Sequence, residues 1–204
     1  MTILKYFTSL EVLVPLAIGI FFNKRIGDFI AKPFIFYLLV LSFLEVTCLF
    51  LSVKSINNHL IYNLIDFTTI LFFVYYFSKF ENKLFFYFSI TISITAFFNI
   101  LLRDPFVFKQ SNYLMIYAFI GTTSSYLLFE ATKLDDLYFF KSFRFWFYTG
   151  FIVSSFSTLT MYIFFDKIKT LNQSSLIVQY YSFFNFVINS IQYAAFSIAT
   201  LCRK

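Results

Sequence analysis

Long apolar runs separated by short polar breaks set the pattern of this chain. Seven of the runs, near 3–22, 33–53, 57–78, 83–102, 110–131, 144–165 and 173–201, reach the roughly 20 residues that a helix needs to cross a hydrocarbon core of about 30 Å. The breaks hold the residues expected between spans: Asn23-Lys24-Arg25, Lys54 with Asn57-Asn58, Lys79 to Lys83, Arg103-Asp104-Pro105, Lys133 to Arg144, and Asp166 to Lys169. None is long enough to be a domain. The pattern predicts an all-α, polytopic membrane protein, a single domain over 1–204 built of seven transmembrane helices. A signal peptide carries charge before its apolar run, whereas here Lys24 and Arg25 follow the first run and Glu11 interrupts it, so that run is expected to stay as a span.

Composition points to the same solvent. At 60% apolar and 13% charged over 204 residues, the chain is more apolar than a soluble core of this size can hide. Its aromatic share of 25% is an excess that an A+T-rich genome also produces, so it carries no functional weight. Counting Lys and Arg gives an orientation, because cytoplasmic loops keep the positive excess. The N-terminus and the second, fourth and sixth connections hold Lys5, Lys54, Arg103, Lys109, Lys167 and Lys169; the opposite side holds the other ten. An N-outside, C-inside protein of a bacterial inner membrane is expected. The net charge of +6 is then mostly topological bias, and no basic soluble scaffold is left for a nucleic acid.

Within the spans the polar residues are few and informative. At about 1.5 Å per residue, Glu11, Glu45 and Asp66 fall roughly 12, 12 and 14 Å below the outer ends of the first three helices. Asn63 precedes Asp66 by one turn, and Asn99, Ser157 and Thr158 fall in the same outer half. A carboxylate at the centre of a lone span costs at least about 2.5 kcal/mol, so these acids should face the bundle interior or a wet cavity. The seventh run adds Tyr181, Asn185, Asn189 and Gln192 at i, i+4, i+8 and i+11, a polar row along one helix face. Such residues line a ligand pocket or simply bond neighbouring helices, and both readings stand at this point. Gly121 to Ser125 suits close helix packing, and Glu130 can snorkel to the cytoplasmic surface.

Much chemistry is disfavoured by what is missing. The seventh run has no Lys for a retinal Schiff base, and His59 is the one histidine of the chain, which argues against a multi-His metal site or an intramembrane Ser-His protease. Cys48 and Cys202 lack the spacing of a disulfide framework or zinc site. Asp66 is the one aspartate within a span, short of the two an aspartyl protease needs; a Glu45/Asp66 acid pair doing hydrolysis stays open. No phosphate-binding glycine loop is present, and no cofactor is expected.

The run Ile61-Tyr62-Asn63-Leu64-Ile65-Asp66-Phe67 resembles the I-Y-T-L-I-E-F stretch of a family of small seven-span membrane proteins common in Bacteroidetes-type bacteria. Pro15 to Gly19 is similar to their P-L-L-I-G, Phe145-Trp146 with Gly150 to their F-W-I-N-S-G, and Ser182 to Asn189 to the end of their H-S-I-L-N-I-I-L-N. Asp66 stands for their Glu, Asn63 for their Thr, and Tyr181 for their His, which removes a titratable group. The resemblance implies a seven-span fold without implying an activity. The expected function is a non-enzymatic membrane protein with an outward-facing polar pocket formed by Glu11, Glu45, Asn63, Asp66, Tyr181, Asn185 and Asn189. It would act as a sensor or signalling partner, embedded in lipid, taking a small ligand or cation and reporting to a membrane or cytoplasmic partner. The alternatives are a small proton- or cation-coupled carrier or ion conductor, and an immunity or defence membrane protein.

Overall fold

The computed structural model describes residues 10–22, 31–79, 83–102, 110–132, 139–170 and 175–202. Among these the regular structure is helical: α1 (Leu13–Phe22), α2 (Ala31–Val53), α3 (His59–Lys79), α4 (Lys83–Leu101), α5 (Gln110–Thr132), α6 (Phe143–Thr170) and α7 (Ser175–Leu201). A 3₁₀ turn at Phe139–Lys141 precedes α6. Helices α2 to α6 are long and apolar enough to cross a membrane. The described part of α1 is ten residues, and α7 has 27 but carries Asn185, Asn189 and Gln192. The protein is thus a polytopic helical bundle. Phe21, Phe43, Phe98 and Phe164 stand outward on four different helices, an exposure that lipid tolerates and water does not.

Local chemistry sets the helix ends. Ser142 caps α6 by accepting the Phe145 N–H at 3.2 Å. Asn57 Oδ1 takes the His59 N–H at 2.9 Å as α3 begins. Helix α2 closes with Ser55 in the left-handed region (φ 54°), so that Ile56 N–H reaches the Leu51 carbonyl at 2.9 Å and Ser55 N–H the Ser52 carbonyl at 3.1 Å. Inside the spans, serine and threonine hydroxyls bond their own helix one turn back, as Ser42 does to Leu38, Thr47 to Phe43 and Ser93 to Ser89. A hydroxyl so satisfied sits in lipid at little cost and makes no statement about function.

One end differs from the sequence reading. Glu11 was expected within a helical first span over 3–22; it lies in a turn, Glu11-Val12, immediately before α1. Pro15 explains this. It has no N–H to give the carbonyl four residues back, which belongs to Glu11, and its ring crowds that carbonyl. Val14 N–H takes the Glu11 carbonyl instead, at 3.1 Å in a tighter i to i−3 bond.

The helices form a ring in chain order, each packed on the next, with α7 closing on α1 and α3 also touching α5. Neighbours α2/α3 run antiparallel, as the pairs Phe34–Phe72, Tyr37–Thr69 and Cys48–Asn58 show. The closing pair is parallel, since Glu11 meets Ser190 and Gly19 faces Thr200. Three glycines allow close approach. A Cβ at Gly19 would meet Ile35 of α2 at 3.0 Å, one at Gly121 would meet Ser155 of α6 at 3.0 Å, and one at Gly150 would meet the Phe196 ring of α7 at 2.5 Å. Gly121 therefore serves packing, within an α5 that stays helical throughout.

Aromatic rings fill one part of the interior. Phe34 lies 5.1 Å from Phe147 and 5.0 Å from Phe196 between ring centroids, Phe73 lies 4.9 Å from Phe151, and Phe151 lies 4.9 Å from Phe196. These rings come from α2, α3, α6 and α7 and are almost wholly buried. Within this block the hydroxyls of Tyr76 and Tyr148 hydrogen-bond each other, so neither is left in hydrocarbon unpaired.

Candidate functional site

Beside the aromatic block the interior turns polar. Asp66 and Asn63, one turn apart on α3, are buried, with Asp66 4% and Asn63 2% exposed. Tyr117 of α5 donates its hydroxyl to the Asp66 carboxylate. The other oxygen, Asp66 Oδ2, is buried and accepts no hydrogen bond among the described residues. Glu11, just before α1, repeats this arrangement. Ser190 of α7 donates to Glu11 Oε1 at 2.6 Å, while Glu11 Oε2 is buried without a partner among the described residues.

Glu45, half-buried on α2, shares a tyrosine neighbour with each of these acids. Tyr37, on α2, lies within electrostatic range of Glu45 and Asp66; Tyr193, on α7, lies within range of Glu45 and Glu11. Tyr117 in turn feels Asp66, Tyr37 and Tyr193. The result is a belt of three acids and three tyrosines inside the bundle, Glu11, Glu45, Asp66, Tyr37, Tyr117 and Tyr193, each within electrostatic range of at least one other. Among the described residues every Lys and Arg lies near a helix end or in a connection, and none stands beside these acids within the spans. Among the described residues no three acidic, histidine or cysteine side chains converge on a point that would hold a metal ion.

Tyr37 marks where the two regions meet. Its ring stacks on Phe72 at 4.7 Å, inside the aromatic block. Its hydroxyl lies 3.2 Å from Thr69 Oγ1, and because Thr69 gives its own proton to the Ile65 carbonyl at 2.9 Å, Tyr37 is the donor.

Of the residues expected at a polar site, Glu11, Glu45 and Asp66 lie in this belt, linked through tyrosines, and Asn63 shares the buried face of Asp66. Asn185 and Asn189 are half-buried on α7, and Gln192 is buried. The side chain of Tyr181 lies outside the described residues. Asn99 is engaged elsewhere: its amide donates to Asn112 Oδ1 at 2.8 Å, and Asn112 donates to the Ala96 carbonyl at 3.2 Å, which ties α4 to α5. Sequence reasoning missed the belt members Tyr37, Tyr117 and Tyr193 and the partners Thr69 and Ser190. Helical spacing held a signal for two of them, since Tyr193 continues the Asn185, Asn189 row at i+4 and Tyr37 precedes Glu45 by eight residues. With 15 tyrosines in the chain, that signal was easily lost.

No protein-family model, no curated protein and no solved structure matches this chain.

Proposed function

We propose that this protein is a non-enzymatic membrane receptor or sensor, which holds a small ligand in the acid–tyrosine belt and passes its occupancy to a partner through the packing of the helices. The observation that carries the reading is the aromatic block behind the belt. Tyr37 is the last belt member on that side, and beyond it Phe34, Phe72, Phe147, Phe151 and Phe196 interlock. A site with a floor suits holding a ligand. A conducting route needs polar groups or water continuing past it. On this proposal the site faces outward in a bacterial inner membrane, as the Lys and Arg bias favours, and the chain is one of the small seven-span proteins that the Ile61–Phe67 run resembles.

A second reading, a proton- or cation-coupled carrier, draws its support from the turn at Glu11-Val12. Carriers often place a broken helix and its freed backbone groups beside an ion site, and here the break adjoins an acid of the belt. Proteoliposomes separate the two. The receptor reading expects no proton- or cation-gradient-driven uptake by the purified protein, and saturable, gradient-driven flux abolished by Asp66→Asn would replace it with the carrier. A reporter fused after Lys204 is expected in the cytoplasm; an external reporter would reverse the direction from which ligand enters.

A further inference from the structure

We propose that the seam between α5 and α6 is a gate, which parts to let water and small polar solutes reach Asp66. The gate goes beyond the receptor reading and does not depend on it, since a carrier needs the same access. Unsatisfied groups collect at this seam. Of the four buried side-chain atoms without a hydrogen-bond partner among the described residues, three belong to Asp66, Ser124 and Ser155. Both serines are fully buried, and both depart from their neighbours. On α5, Thr123 bonds the Phe119 carbonyl at 2.7 Å and Ser125 the Gly121 carbonyl at 2.8 Å; on α6, Thr149 and Thr160 bond the Phe145 and Phe156 carbonyls, each at 2.8 Å. Ser124 and Ser155 make no such bond, and a bundle in lipid offers them no water in its place.

Tyr113, Tyr117, Gly121 and Ser124 recur at i, i+4, i+8 and i+11, so they share one face of α5. That face meets α6. The Tyr113 and Tyr162 ring centroids lie 5.3 Å apart, and a Cβ at Gly121 would stand 3.0 Å from Ser155 Cβ. Tyr117, which donates to Asp66, falls between these two contacts. The face is polar or small from Tyr113 to Ser124, and it continues with Leu128, packed on the apolar core, where the seam is closed. Parting the seam gives the Ser124 and Ser155 hydroxyls and Asp66 Oδ2 water as a partner. Parting α6 from α7 would instead withdraw the Phe196 ring from beside Gly150 and give no orphaned group of the α5/α6 seam a partner. The Asp66–Tyr117 bond joins α3 to α5, so it survives as α6 moves off.

The test is modification of Asp66 in the full chain in lipid nanodiscs by a water-soluble carbodiimide with glycinamide, read by mass spectrometry and normalised to Glu130, near the far end of α5. Asp66 of the parent protein is expected to react; an inert Asp66 beside a reactive Glu130 overturns the gate. Gly121→Cys with Ser155→Cys, on a Cys48→Ala, Cys202→Ala background, places two thiols where a disulfide closes with little movement and holds the seam shut. Oxidised, this protein should react at Asp66 at least about tenfold more slowly than the same protein reduced, because the open population is removed. Equal rates in the two redox states overturn the gate, and the comparison is made within one variant. Ser124→Ala and Ser155→Ala each remove a hydroxyl that only the open seam satisfies, so each should slow the reaction at Asp66 about tenfold. Ser93→Ala on α4, whose hydroxyl already bonds the Ser89 carbonyl at 2.8 Å, should leave the rate unchanged. Unchanged rates in both seam variants overturn the gate even if the cysteine pair does not fold or oxidise. None of these outcomes bears on whether the protein is a receptor or a carrier, which gradient-driven uptake decides.

Discussion

The aromatic block and the acid–tyrosine belt are built from overlapping sets of helices and lie against each other at Tyr37, yet they are opposite kinds of interior. In the block, groups have what they need: rings meet at 4.9 to 5.1 Å, and the Tyr76 and Tyr148 hydroxyls pair. In the belt, two carboxyl oxygens lack donors, and no cation stands beside them, among the described residues. Lipid tails are as apolar as phenylalanine, so burying rings away from lipid gains little from the hydrophobic effect, and fit between side chains is what holds the bundle. The block is where fit is closest. The belt spends stability, and such a departure from local satisfaction is where function is expected.

The sharpest way to test that division is to damage the block. Phe147 is fully buried and touches Phe34, Phe72, Phe143, Tyr76, Tyr148 and Phe151. Phe147→Ala should cost on the order of 2–4 kcal/mol, mainly through the cavity left behind, as read from unfolding in detergent or nanodiscs. A loss below about 1 kcal/mol would mean that the block repacks easily and is not the stabilising half.

Gly150→Ala tests closeness of fit rather than volume. The new methyl would stand 2.5 Å from the Phe196 ring, which is itself enclosed by Phe34, Phe151 and Tyr193. Overpacking of this kind should destabilise by about 1–3 kcal/mol and weaken the α6/α7 contact, measurable as faster cleavage or labelling along α7. A neutral result would show that the two helices can separate without penalty.

The belt should respond least. In Asp66→Asn the amide oxygen can still accept the Tyr117 hydroxyl, while a buried acid without a cationic partner is removed. Stability without ligand is expected to stay within about 1 kcal/mol of the parent or to rise, even as the response to ligand is lost. If Asp66→Asn destabilised as much as Phe147→Ala, the belt would be structural and the contrast between the regions would collapse.

Sequence alone determined the membrane setting and the helices. Runs of about 20 apolar residues leave no alternative to helix in hydrocarbon, because each backbone polar group must be satisfied within its own segment, and the ends of α2 to α5 fall within two residues of the runs that predict them. Sequence also drew attention to Glu11, Glu45 and Asp66, since acids in an apolar run are rare enough to stand out. It did not mark the turn at Glu11, although Pro15 four residues on was its cause. Which polar residues share the belt was decided only by tertiary structure. Asn99 and Asp66 look alike as polar residues in apolar runs; packing places one opposite Asn112, which satisfies it, and the other against Tyr117, which leaves one oxygen bare. Tyr37 and Tyr193 carry only a faint spacing signal and Tyr117 none, because a tyrosine in a span is read as apolar until its hydroxyl is given a neighbour. That neighbour comes from another helix, and helix rotation and pairing in lipid are set by the fit of whole surfaces, information that a single segment does not contain.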